Sequence, residues 1–356
     1  MWDVLLNYLW GKPMKSNKSA FGGWTRRDLL KFGALAMATP VFAQARGGQR
    51  GQAAPAAPQT GTQLVLLGTQ GGPGVTANRN QASNAVIVDG RPYLVDLGYG
   101  GLKSAVQAGI TLANINNVFI THLHDDHTAD IAALLALKWT ASQNPGEATI
   151  HGPYGTAAMV DAAIAFSKAN VAIRMVDEGR TVDPKTVFHA RDLNAPKITE
   201  VFKDDRVAVL AVENAHFPDR AKAKMDYRSF SYRLNTATRS IVFSGDTTYS
   251  ENLIELARGA DLFVCEVLGT AANANAPARA GAPAANNGGE SIARHVRETH
   301  STPEEVGKMA AAAKVKTVVL SHQVGAGANG NTDPLTADLK KVFSGEVIVG
   351  ADQMRL

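Results

Sequence analysis

The stretch Phe119-Ile-Thr-His-Leu-His-Asp-Asp-His127 constrains this chain more than any other part of it. It follows the apolar run Asn117-Val-Phe-Ile, which reads as a short buried strand. It precedes residues 127–139, whose apolar side chains recur at helical spacing. His122 and His124, two apart at a strand end, project to the same side, while Asp126 and His127 sit where the chain turns into the helix. Four metal-capable side chains therefore arrive at one corner. Imidazole nitrogen and carboxylate oxygen without thiolate suit zinc best, and manganese or iron would accept the same ligands.

The same pattern recurs downstream. The apolar strands Val207 to Val212, Ser240 to Phe243 and Val315 to Leu320 run into His216, Asp246 and His322. Strands lying side by side bring such ends together although the sequence separates them widely. Six of the nine histidines (122, 124, 127, 216, 300 and 322) belong to this set, whereas His151, His189 and His295 fit turn or helix-surface positions. The one cysteine, Cys265, lies in the apolar run Asp261 to Leu268. It reads as a small core residue, and no intramolecular disulfide is possible.

His-x-His-x-Asp-His, the later strand-end His216, Ser244-Gly-Asp246 and Ser321-His322 resemble, in order and over residues 62–356, the metallo-β-lactamase superfamily. The resemblance implies an α+β fold, an αββα sandwich with a dinuclear metal site at the sheet edge. It assigns His122, His124 and His216 to one metal, Asp126, His127 and His322 to the other, and Asp246 to a bridge between them, with two zinc ions per chain as the expected cofactor. Asp96, in Val-Asp-Leu-Gly98, matches the aspartate that supports the ligands from behind. His300-Ser-Thr-Pro-Glu-Glu is similar to the extra histidine of the ribonuclease Z-like branch, so His300 joins Asp126 as an expected catalytic residue. Gly68-Thr-Gln-Gly-Gly-Pro73, Arg79 and His151-Gly-Pro-Tyr-Gly-Thr156 look most like the arylsulfatase-type group within that branch.

Along the rest of the chain, Thr25-Arg26-Arg27-Asp28-Leu29-Leu30-Lys31 resembles a twin-arginine export signal. The apolar Phe32 to Phe42 and the small-x-small Ala43-Gln-Ala45 follow it. That apolar stretch is too short for a stable membrane anchor, and Met14 is a more ordinary start for such a signal than Met1. Residues 46–61, rich in Gly, Ala, Gln and Pro, read as a flexible linker, and 62–356 as one hydrolase domain. Within it, Asn84 to Gly98 predicts a hairpin around Asp89-Gly90. Helices are expected at 102–108, 131–139, 155–170, 303–313 and 333–343, and strands at 148–151, 171–176, 186–191, 198–202, 230–234 and 346–349. The low-complexity residues 270–289 read as a surface loop.

The expected activity is that of an exported dinuclear zinc hydrolase cleaving a small anionic ester, an aryl sulfate or a phosphodiester, with water held as hydroxide by the metals. The alternatives are a ribonuclease Z-like phosphodiesterase or endoribonuclease, a lactone or β-lactam hydrolase, and a non-catalytic metal-binding protein on the same fold. The formal charge of +4 owes everything to the first 45 residues, since the remainder holds thirty basic and thirty acidic side chains. A neutral mature chain points away from nucleic acid as the main partner, because polyanion binding leans on excess Lys and Arg. The other expected partner is the twin-arginine export machinery, with delivery to the periplasm. Replacing Arg26 and Arg27 by lysine is therefore expected to hold precursor in the cytoplasm, as cell fractionation would show. Unchanged delivery of the double variant would mean that the segment is not this signal.

Overall fold

Asp89 and Gly90 reverse the chain with positive φ values of 46° and 81°. They pair β2 (Ser83–Val88) with β3 (Arg91–Leu97) as the antiparallel hairpin that the Asp-Gly dipeptide predicts. The computed structural model describes residues 60–269, 288–324 and 333–356. The export segment, the linker up to residue 59 and residues 270–287 of the low-complexity stretch lie outside them.

The hairpin belongs to a six-stranded sheet that keeps chain order. It runs β1 (Thr62–Gly68), β2, β3, β4 (Asn117–Phe119), β5 (Ala148–Pro153), β6 (Phe188–Leu193), antiparallel at its start and parallel from β3 onward. The second sheet has seven strands. From one edge, β7 (Thr199–Lys203), β8 (Val207–Glu213), β9 (Phe230–Thr236) and β10 (Ser240–Phe243) pair antiparallel. Then β11 (Leu262–Leu268), β12 (Thr317–Val324) and β13 (Glu346–Val349) continue parallel to β10.

Three apolar layers hold this together. Leu64, Leu66, Tyr93, Phe119, Tyr232 and Val264 fill the space between the sheets. Leu97, Leu134, Trp139 and Ile164 join the outer face of the first sheet to its helices, among them Ile131–Ala141 and Thr156–Phe166. Leu253, Phe263, Met309 and Leu339 do the same for the second sheet under Glu251–Ala257, Pro303–Ala313 and Asp333–Lys340. The order of layers is thus helix, sheet, sheet, helix, the αββα sandwich. Each such buried Leu or Phe is worth about 1.5–3 kcal/mol, so the layers supply the bulk of the driving force. Thr302 starts the 303–313 helix with a reciprocal cap: its hydroxyl accepts from the Glu305 N–H, while the Glu305 carboxylate accepts from the Thr302 N–H at 2.8 Å.

Two expectations fail in this half of the chain. Residues 171–176 are not a strand but part of the helix Lys168–Asp177, which follows a bend at Ser167 that ends the preceding helix at Phe166. A short apolar run fits either period, and here the backbone of 171–176 continues the helical bonds that start with Val171 N–H to the Ser167 carbonyl at 2.9 Å. His151, read as a turn or helix-surface residue at the end of the expected strand 148–151, lies inside that strand, which runs on to Pro153 as β5. It is buried, stacked on Phe119 at 4.8 Å, and its Nε2 pairs with Asn117 Oδ1 at 3.1 Å.

Two irregularities in the sheets shape the edge where the strands end. In the β2–β3 pairing the register slips at Asp96, and in β11–β12 it slips where Glu266 faces Ser321 and His322. Asp96 and His322 both take left-handed backbone there, at φ 60° and 40°. Each costs of order 1–3 kcal/mol, a strain the packed sheets sustain, and each re-aims a side chain toward the sheet edge.

Candidate metal centre

The chain builds its site from loops that leave neighbouring strand ends. β4 ends at Phe119, β8 at Glu213 and β10 at Phe243, and in each case the metal-capable residue comes three positions later, at His122, His216 and Asp246. His322 comes from within β12. His124 precedes a short helical turn, Asp125–Thr128, which carries Asp126 and His127.

All seven residues converge. One ligand atom from each of His122, His124, His216 and Asp246 lies within 4.8 Å of the others, and the same holds for Asp126, His127, Asp246 and His322. Asp246 is shared by both groups. Its Oδ1 stands 3.3 Å from His127 Nε2 and 3.1 Å from His322 Nε2, and its Oδ2 3.8 Å from His122 Nε2.

The donor set fits metal ions. Six of the seven residues are buried, His124 being partly exposed. Asp246 Oδ1 and His127 Nε2 are both sealed from solvent without a hydrogen-bond partner among the described residues. Orphaned buried acceptors and donors are costly, and cations between them would remove that cost.

Supporting contacts fix each ring. Asp96 accepts from His127 Nδ1 at 2.9 Å and from the Thr121 N–H at 2.8 Å, so His127 presents Nε2 inward, as the sequence assigns Asp96 to do. His216 Nδ1 donates to the Thr299 carbonyl at 3.1 Å. The glycine-rich loop 68–73 holds an anion belonging to the chain itself: the Gly72 N–H donates to Asp126 Oδ2 at 2.8 Å. Its neighbour Gly71 must lack a side chain, since a Cβ there would stand 2.7 Å from the His322 ring.

His300 stands beside the cluster, its ring stacked on that of His322 at 5.9 Å. Its Nδ1 donates to Glu266 Oε2 at 2.6 Å. Glu266 is fully buried and also accepts from the Thr247 N–H. Sequence reasoning missed this glutamate, although a lone carboxylate inside the apolar run Asp261 to Leu268 is itself a signal. It missed His295 as well. That residue does sit on a helix surface (Gly288–Thr299), but the surface faces the site, with ring centroids 5.7 Å from His216 and 6.1 Å from His124. His189 is exposed and remote, and burial pushes the Cys265 thiol up, which keeps it an inert core group.

Electrostatics divide the histidines. Burial lowers His122 well below its usual value and His216 to about 3, so both stay neutral and ready to ligate. Burial also works against charge on His127 and His322, but the carboxylates around them, Asp246 foremost, outweigh it and hold His322 at about 10 and His127 well above 6.5. Those two pKa values are raised, so without metal both rings carry protons at neutral pH, and a metal must displace them. Titrating zinc into metal-free protein at pH 7.5 in weak buffer is therefore expected to release protons, with the release falling as pH rises toward 10. Less release is expected from His322→Gln. A pH-independent release measured in the pH-stat would contradict this protonation pattern.

Comparison with known proteins agrees with this geometry. Residues 92–323 match the family model described as a beta-lactamase superfamily domain. A ribonuclease Z from Mycobacterium marinum is 30% identical over 305 residues, covering 83% of this chain and 98% of the relative. Human tRNase Z, short form, superposes with a TM-score of 0.57 at 19% identity, over 83% of this chain and 98% of that one. Zn(2+)-bound PqqB from Methylobacterium extorquens does so at 0.53 and 17%, over 83% and 99%. The structural likenesses speak for the fold, and the sequence match reaches across the metal-capable residues. This chain belongs to the metallo-β-lactamase superfamily, as a metal-dependent hydrolase with ribonuclease Z homologues.

Proposed function

We propose that the chain is a phosphodiesterase with a ribonuclease Z-like site, holding two zinc ions and reaching the periplasm by the twin-arginine route. The observation that carries this reading is the Glu266–His300 pair beside the shared Asp246, in a chain 30% identical to a ribonuclease Z over most of its length. The comparisons favour this phosphodiesterase reading over hydrolysis of an aryl sulfate. Two divalent cations in such a site polarise a phosphoryl oxygen and lower the pKa of bound water.

The chain's own groups orient and protonate. Asp96, Thr299 and Gly72 hold His127, His216 and Asp126 in place, so the ligands lose little freedom on binding. Glu266 fixes the Nδ1 proton of His300, which leaves Nε2 as the nitrogen that hands a proton to the leaving oxygen. Burial opposes charge on this imidazole, yet the Glu266 carboxylate raises its pKa above the usual value, which favours the protonated form that proton donation needs. A lactone or β-lactam hydrolase would leave this pair without a task.

Aryl sulfate hydrolysis remains the second reading, favoured by an apolar pocket next to His124. Rates on bis(4-nitrophenyl) phosphate against 4-nitrophenyl sulfate decide between them, and faster turnover of the sulfate would overturn the proposal. His300→Ala is expected to keep its metals yet lose about 10²–10⁴-fold in kcat on diesters with poor leaving groups. On nitrophenyl esters, which leave without much protonation, the loss should be far smaller. A ratio of wild type to variant that stays flat across a series of leaving-group pKa values would rule out proton donation by His300.

A further inference from the structure

Beside the metal-capable cluster lies a cavity of about 610 Å³ that opens on His124, the one member of the cluster not fully buried. Its walls are chiefly apolar: Leu123, Phe217, Met225 and Tyr227. One side closes onto bare backbone. A Cβ on Gly155 would come within 2.8 Å of the Tyr227 ring and 2.9 Å of Leu123, and Gly155 has φ +100°, so a side chain is excluded there by space and by backbone alike. The volume is in the range of sites that bury a small molecule, far below what a folded polynucleotide presents.

The polar group at the inner end is His295. Its ring stands 5.7 Å from that of His300, 5.7 Å from His216 and 6.1 Å from His124, yet it belongs to none of the metal-capable groups among the described residues. The Thr299 hydroxyl donates to the His295 carbonyl at 2.7 Å and so can only accept from His295 Nδ1, 3.5 Å away. That contact turns Nδ1 toward its own helix and leaves the opposite edge of the imidazole for a ligand. Arg220 and Arg294 line the same cavity, the former paired with Glu298, so the rim is cationic where an anionic ester would enter.

We propose that this cavity is the subsite for the organic group of the substrate, that it selects a flat apolar group, and that His295 is the substrate-binding side chain at its inner end. The inference rests on the phosphodiester reading and narrows it to small diesters carrying an aromatic group. Cations held by the metal-capable residues would take the phosphoryl oxygens, while Leu123, Phe217, Met225 and Tyr227 take the ring and His295 contacts the junction between the two.

The test is calorimetric binding of phenylphosphonate and methylphosphonate to zinc-loaded protein, because neither probe turns over. Wild type is expected to bind the phenyl probe about tenfold or more tightly than the methyl probe, in line with burial of one ring. Tyr227→Ala should largely remove that preference. His295→Ala should weaken phenylphosphonate by about three- to tenfold, the worth of one hydrogen bond or ring contact, with metal content and Tm unchanged, and His295→Asn should recover part of the loss. On phenyl diesters the His295→Ala deficit should fall mainly on KM, with kcat within about threefold. Equal affinities of wild type for the two probes, no binding of either, or a His295→Ala variant that binds phenylphosphonate as tightly as wild type would overturn the proposal. Protein that binds the probes as expected yet cleaves no phosphodiester would overturn the phosphodiesterase reading and leave the subsite standing.

Discussion

A carboxylate buried where two sheets meet needs positive charge close by, and Asp246 is such a carboxylate. Burial alone would raise its pKa, but His322 and His127 hold it well below the ordinary range, so it stays charged in the dry floor of the site. The surrounding architecture serves that requirement. Three strands of the two sheets release their chains at the same edge and place a ligand three residues on, while a bulge in β12 turns His322 in from the side. The left-handed backbone at Asp96 and His322 is tolerated because the apolar layer between the sheets over-determines the strands that carry them.

Much of this was legible in the sequence, because its signals are periodic or chemical. The Asp89-Gly90 turn between two apolar runs announces the hairpin, and the metal-capable cluster His122, His124, Asp126 and His127 has no ordinary structural use. What escaped depends on direction in space. Residues 171–176 satisfy both a strand and a helix pattern, and the structure continues them as the helix Lys168–Asp177. His295 lies on a helix surface as expected, yet whether that surface meets solvent or a metal site is set by how the helix docks. The glycine-rich loop 68–73 gives no sign in the sequence of the group it holds, since Asp126 lies 54 residues away. Residues 270–287 lie outside the described residues, so the loop expected there stays an expectation.

The division of labour within the site follows from these placements. The ligand histidines are neutral or held protonated according to which carboxylates face them, and their rings are aimed by Asp96, Thr121 and the Thr299 carbonyl rather than by the metal alone. Behind them Glu266 accepts from His300 and lies 3.6 Å from His322 Nδ1, so one buried carboxylate faces both rings. The fold is shared by many hydrolases, so specificity must come from what surrounds this centre. On the His124 side of it lies a glycine-floored apolar pocket, the subsite we propose.

If Asp246 joins two ions in one site, zinc content shows it. The measurement is the number of zinc ions per chain in protein loaded with zinc and freed of excess, by elemental analysis, in wild type and in Asp246→Ala. Close to two ions per chain are expected in wild type, and a loss affecting both positions in the variant, because one carboxylate faces both ligand groups. A wild-type plateau at one ion or none, or an Asp246→Ala variant that still holds two, would contradict the bridging role.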